Sequence, residues 1–418
     1  MNKTLAPVAA LLISVSILLA GQGLQGTLLP VRASIEGFAT VSIGAMGAAY
    51  FLGFTLGCLK GGELVQRVGH VRVFLAMSAI ASASPLVHGL LVQPTSWFLL
   101  RLLTGFCFAV LYVVIESWLN DRADNDNRGV IFSIYAMITL TVLAAGQMMT
   151  LMYDPSGLEL FIIASVLVSL GAVPVALSTA PAPEQPHAFS VDLRRLWHIS
   201  PSGTLGCLVA GLANGAFWAL APVFAALVGK DVSLAAWFMT FAVVGGAVAQ
   251  WPLGLLSDRI GRRKVLVGIS FCGAVVGVTM FYATSGLTFL SANLLAACWG
   301  ALAFPLYTIA VAYANDRAEI SEYVTVSSGL LLMYGIGATV GPFVASAMMQ
   351  GSGHGGLFAF AAIMHAGLVV FVGARALRGR RAAEQQIAFV DALSAVQTAS
   401  VVYEEEIQQQ GEDETAPH

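Results

Sequence analysis

The chain contains itself twice. Gly21-Gln22-Gly23 with Pro30 returns as Ala213-Asn214-Gly215 with Pro222, Arg67-Val68-Gly69-His70 as Arg259-Ile260-Gly261-Arg262, and Asn120-Asp121-Arg122-Ala123 as Asn315-Asp316-Arg317-Ala318, at an offset of roughly 192 to 195 residues. Shared hydrophobic composition does not hold polar and helix-breaking residues in register over such a distance, so the two stretches are copies of one structural unit. Any fold the chain takes must be built from two related halves.

Apolarity says what each half is made of. With 57% hydrophobic and 10% charged residues and a mean hydropathy of +0.81, the chain is unlike a soluble domain, in which about 25% of residues are charged. A run of about 20 apolar residues crosses a bilayer as a helix, and twelve such spans are predicted: 5–29, 39–60, 73–92, 97–119, 129–151, 158–179, 203–229, 232–256, 265–284, 287–314, 323–349 and 356–375. The expected fold class is an all-α membrane protein with 12 transmembrane helices in two pseudo-symmetric six-helix bundles, residues 1–179 and 203–375. Residues 180–202, with Pro181, Pro183 and Pro186, read as a cytoplasmic interdomain linker, and 376–418, with Glu404-Glu405-Glu406 and Glu412-Asp413-Glu414, as a cytoplasmic tail. Within that tail Ile387, Val390, Leu393 and Val396 have the spacing of a short amphipathic helix. The first span is too long for a signal peptide and lacks a small-residue cleavage site, so it is expected to stay as a helix.

Lys and Arg are retained on the cytoplasmic side of a membrane. With the N-terminus inside, seventeen of the twenty fall on that side and only Arg32, Arg101 and Lys230 toward the other, which puts both termini in the cytoplasm. The net charge of -3 is segregated by leaflet and offers no nucleic-acid surface. The five cysteines lie in or beside apolar spans without paired spacing, and His88, His354 and His365 have no ligand spacing, so neither a disulfide nor a metal is expected. No Walker loop is present, which argues against ATP as the energy source. No cofactor and no enzymatic chemistry are expected.

Two related stretches end spans two and eight at the cytoplasmic side, Gly62-Glu63-Leu64-Val65-Gln66-Arg67-Val68-Gly69-His70 and Gly254-Leu255-Leu256-Ser257-Asp258-Arg259-Ile260-Gly261-Arg262. Their glycines allow tight turning and close helix approach, and Arg67, Arg259 and Arg262 can reach headgroups, carboxylates or helix C-terminal carbonyls. These stretches closely resemble the loop signature of the major facilitator superfamily, glycine-x-leucine-x-aspartate-arginine-x-glycine-arginine. The resemblance implies two six-helix bundles around a central cavity opened alternately to each side, with this loop locking the cytoplasmic gate. The gate residues it implies are Gly62, Glu63, Arg67, Gly69, Gly254, Asp258, Arg259, Gly261 and Arg262. The first copy departs from the pattern at Gln66, where the family has aspartate, and at His70, where it has a basic residue; Glu63 is near enough in sequence to stand in for the aspartate. A topogenic loop alone would account for the basic residues but not for Asp258.

Arg101 with Gly105 in span four is similar to the arginine-x-x-x-glycine pattern of proton-coupled members. An arginine in a bilayer faces a cavity or a partner carboxylate, or, this near the outer end, it snorkels; both readings stand. Glu116, about 28 Å from the outer end of span four at about 1.5 Å per residue, reads as a gate element neutralised by Arg67, Arg122 or Arg128, or as a proton carrier. The antiporter signature expects glycine-proline in span five, where this chain has Gly146-Gln147; the pair stands instead at Gly341-Pro342, so the direction of coupling is not inherited. Glu116 to Gly129 and Gly21 to Arg32 look like the bacterial YcaD-like branch of the superfamily, which implies a bacterial inner-membrane protein.

Spans three, six, nine and twelve are nearly free of charge and are expected to face lipid. Spans one, four, five, seven, eight, ten and eleven carry Gln22, Gln25, Arg101, Glu116, Gln147, Asn214, Gln250 and Asn293 and are expected to face inward. Gln22 and Gln25 share a helix face, Asn214 is the repeat-related counterpart of Gln22, and Trp218 follows one turn later. Such amides can meet a polar solute, with aromatics as an apolar wall, or act as interhelical glue. Tyr112, Trp299, Tyr307 and Tyr334 form a secondary set of substrate candidates. The expected partners are a small-molecule solute, a proton as coupling ion and the lipid bilayer, with the chain working as a monomer. The expected function is secondary active transport; the alternative is a membrane sensor or scaffold signalling through the tail, and a passive pore would need a more continuous polar lining.

Overall fold

The computed structural model describes residues 9–122, 128–177, 192–319 and 322–377. The acidic tail, its amphipathic stretch and the proline-rich part of the linker lie outside them. Thirteen α-helices are described: α1 (Ala9–Ile35), α2 (Thr40–Val68), α3 (His70–Leu90), α4 (Pro94–Asp121), α5 (Arg128–Met148), α6 (Glu159–Ala176), the short α7 (Leu193–Ile199), α8 (Pro201–Gly229), α9 (Val232–Ile260), α10 (Arg262–Ala283), α11 (Phe289–Asn315), α12 (Tyr323–Ser352) and α13 (Gly356–Leu377). All but α7 are long and apolar enough to cross a membrane.

The helix starts are written in the sequence. Ser200 caps α8 through Gly203, with Pro201 in the first turn, where its missing N–H costs nothing. Thr288 and Ser291 form a capping box on α11. At α9 the Asp231 carboxylate accepts from the Ser233 hydroxyl and backbone N–H, which hold it below the usual carboxylate range. Helix ends depart more from expectation. α2 runs on to Val68 and α9 to Ile260, so each signature stretch is helical and only Gly69 and Gly261, at φ 93° and 95°, make the turn. Hydropathy marks where hydrocarbon stops, whereas the hydrogen-bond ladder persists into the headgroup layer until a residue free to adopt positive φ breaks it.

The duplication reappears in the packing. In the first half α2 packs on α4, α1 on α5 and α6, and α3 on α4 and α6; in the second, α9 packs on α11, α8 on α12 and α13, and α10 on α11 and α13. The close approaches repeat as well. Gly53 abuts the Leu102 carbonyl and Gly105 the Tyr50 carbonyl, and at the equivalent positions Gly245 abuts Ala297 and Gly300 abuts Ala242. Gly23 meets Leu143 and Gly146 meets Ala20, while Gly215 meets Ala338 and Gly341 meets Leu212. At each site the missing Cβ is what lets two backbones touch. Gly105 and Gly146 are thus packing glycines of the first half.

Between the halves, α2 packs along α12, α5 on α9, and α1 on α8. The helices start and finish at one face, here the terminal face. At the distal face a single apolar cluster runs through both halves, taking in Leu28, Ile43 and Met46 of the first and Ala219, Phe224 and Ala345 of the second. Toward the terminal face the apolar interior divides into one cluster within each half, around Phe74, Phe108 and Ile115 and around Leu266, Leu306 and Ile309. The apolar interior is shared by the halves at one end and divided between them at the other.

Candidate functional site

Between the halves lies a cavity of about 340 Å³, walled by α1, α2, α4, α5, α8 and α12. α3, α6, α10 and α13 give it no residue, in keeping with the lipid-facing reading, but neither do α9 and α11, which the sequence turned inward. Gln250 of α9 instead donates to the Thr308 hydroxyl of α11 at 3.1 Å, and Asn293 of α11 is buried. α2 was missed. Its glycines at intervals of four, Gly53, Gly57 and Gly61, lie against α4, which turns Phe51, Thr55 and Cys58 on the opposite side to the cavity. That glycine spacing was the available signal. Seventeen of the twenty-five lining residues belong to the first half, so the cavity is skewed toward it.

Gln22 is held at both ends of its amide, donating to the Tyr50 hydroxyl at 2.7 Å and accepting from the Tyr112 hydroxyl at 2.9 Å. Three helices are tied at one point of the wall. Gln25 lines the same cavity, 2% exposed, and donates to the Gly21 carbonyl one turn back. Arg101 also lines it, with its guanidinium 4.1 Å from the centroid of the Tyr50 ring, so it faces the cavity and does not snorkel. Trp218 stacks on Phe304 at 5.5 Å and, with Tyr334, supplies aromatic wall from the second half.

Other candidates lie elsewhere. Asn214 is buried and does not itself line the cavity; its amide points at the Ala303 carbonyl of α11 at 3.5 Å and meets the hydroxyl of Tyr334, which does line it. Its symmetry to Gln22 does not bring it to a skewed cavity. Trp299 is wholly buried among Phe217, Phe358 and His365 in the apolar interior of the second half. Tyr307 packs behind Tyr334 at 4.8 Å. Glu116 lies one turn beyond Tyr112 on α4 and is met by the Tyr135 hydroxyl of α5, where the sequence had pointed to Arg67, Arg122 or Arg128. Arg67 is exposed, and Arg122 is 3.5 Å from Asp121.

The two signature turns are built differently. In the second half Arg262, 2% exposed, bonds Asp316 at the end of α11 at 2.6 Å and lies 3.2 Å from Asp258. Ser257 donates to the Gly254 carbonyl, and Arg259 is exposed. In the first half His70 takes the place of Arg262; it is buried, 3.1 Å from the Ser117 hydroxyl and packed on Trp118. Glu63 pairs with Lys60 on the helix surface and does not stand in for the missing aspartate, and a side chain at Gly62 would meet nothing within 4 Å. A charged clasp in one half is matched by a neutral contact in the other.

The sequence matches the profile of the Major Facilitator Superfamily over residues 11–200 and 203–403. The chain belongs to the major facilitator superfamily. It is 30% identical over 352 residues to an MFS-type transporter of Enterobacter sp. (strain 638), covering 82% of this chain and 89% of that one. To the MFS-type transporter YcaD of Salmonella arizonae it is 26% identical over 355 residues, covering 84% and 91%. Among solved structures, the nucleoside transporter NupG matches with a TM-score of 0.74 at 15% identity over 91% of this chain and 100% of that one. A bacterial homologue of the lysosomal transporter Spinster matches at 0.72 and 16%, over 92% and 99%; at such identities the likeness is one of fold. As a superfamily member the chain is a multi-pass membrane transporter.

Proposed function

We propose that this protein is a secondary active transporter that moves a small neutral, amphipathic or weakly charged solute by rocking residues 1–179 against 203–375. In this reading both termini, the linker 180–202 and the tail 376–418 lie in the cytoplasm of a bacterial inner membrane, and a monomer is the working unit. One observation carries it: the cavity is sealed at the distal face by an apolar cluster that both halves share, while toward the terminal face each half keeps its own. A passage closed at one end and cleft at the other is a state of alternating access rather than a pore.

Proton coupling is assigned to α4, whose cavity side carries Arg101, Phe108, Tyr112 and, a turn further, Glu116 with Tyr135. A carboxyl among tyrosines in a low-dielectric wall binds and releases a proton as its access to water changes. In proteoliposomes a pH gradient should drive solute uptake, and Glu116→Gln should abolish that uptake while solute exchange without a gradient persists. Gradient-driven uptake retained in Glu116→Gln would remove Glu116 from the coupling.

A further inference from the structure

Among the described residues Arg101 is the only charged side chain in the cavity wall. No aspartate or glutamate among the described residues lines the cavity to balance it, and Glu116 lies about 22 Å further along α4 at about 1.5 Å per residue. The Tyr50 ring face gives the cation partial compensation without accepting any of its hydrogen bonds. The arginine sits toward the sealed end, two turns from the distal start of α4, so anything entering from the cleft meets it last. A half-buried cation in a low-dielectric wall without an anion beside it is costly, and a ligand that brought the anion would recover part of that cost.

Two further features define such a ligand. Trp218 and Tyr334 present aromatic surface from the opposite half. Gln25 and Gln147, 2% and 1% exposed, both line the cavity, and each holds one buried amide oxygen without a hydrogen-bond partner. Buried polar atoms in native structures are normally paired, so these two wait for a polar group.

We infer that the cavity takes an amphipathic organic monoanion, its carboxylate on Arg101, its apolar body between Trp218 and Tyr334, and a hydrogen-bonding substituent at Gln25 and Gln147. A single arginine balances one negative charge, which favours a carboxylate over a doubly charged phosphate ester. The inference rests on the transporter reading and names the class of solute carried.

The test uses three probes of one shape on the purified full-length chain: indole-3-acetate, its neutral amide indole-3-acetamide, and the cation tryptamine, with binding read by thermal shift and by tryptophan-independent calorimetry. Indole-3-acetate should bind most tightly. Arg101→Gln should weaken it about ten- to hundred-fold, as expected for a lost charge-assisted contact, while the amide changes little and so reports an intact cavity; Arg101→Lys should restore part of the preference. Tighter binding of the amide or of tryptamine, an anion preference that survives Arg101→Gln, or no binding by any probe overturns the inference. Proteoliposome exchange separates it from the reading beneath it. Indole-3-acetate bound but never moved would sink transport and leave the anion site, whereas amide moved and acetate refused would do the reverse.

Discussion

Replacing Gln22 by alanine frees the hydroxyls of Tyr50 and Tyr112 together, because one amide holds both. Two polar groups are then left to find new partners, at a cost of about 1–3 kcal/mol each where water does not reach them. Gln22→Ala should therefore depress solute flux severely at normal expression, while Asn214→Ala, which reaches the wall only through the Tyr334 hydroxyl, should depress it less; equal effects would mean that the wall is not the working surface. The amide pair also shows where sequence reasoning stops. Both were visible as polar residues at matched positions, but which one lines the cavity depends on a skew that symmetry hides. Trp299 was misplaced for a related reason, since a buried tryptophan and a cavity tryptophan look alike until the helix rotation is known. At the terminal face, Asp316→Asn removes one of the two carboxylates beside an almost fully buried guanidinium and leaves Asp258 alone to balance it, a loss larger than that of an exposed pair. The melting midpoint of Asp316→Asn should fall well below that of Glu63→Gln, whose exposed pair with Lys60 adds little.

Helices were the most legible objects in the chain. Twelve apolar runs became twelve long helices, because a bilayer leaves the backbone no other way to satisfy itself. Their ends were harder, since α2 and α9 continue through charged residues that hydropathy reads as loop. Helix orientation was harder still, and it is set by the small-residue contacts: Gly105 on Tyr50 and Gly300 on Ala242 fix how α4 and α11 are turned. Gly105→Ala should push α2 off α4, because the added carbon collides with backbone that has no alternative rotamer, and should lower the thermal midpoint sharply. Gly26→Ala, in open space on the cavity wall, should be neutral or slightly stabilising through helix propensity. Comparable losses from both substitutions would show that the helix contact is not what Gly105 secures.

At the scale of the molecule, the repeat announced two halves, and the structure adds which end of their interface is shut. The side chain of Ser346 on α12 and the backbone carbonyl of Pro342 one turn earlier abut Gly44 of α2 at the distal end. Gly44→Cys with Ser346→Cys should form a disulfide on mild oxidation, after a small adjustment of the helices, and should stop flux reversibly while binding from the cleft side survives. A fully oxidised double variant that still transports would show that this seam need not open. No single sequence carries that information, because the same residues must also serve the opposite state.

The skew of the cavity has a mechanical corollary. If the halves rock apart as proposed, most of the cavity wall moves with the first half, and only the minority on α8 and α12 lets go. In that motion a solute in the cavity would ride on one bundle and be released by the withdrawal of the other. Its grip is then nearly equal on either side of the membrane, and a ligand held equally in two states cannot bias their populations. Direction in such a machine must come from the gradients it is given.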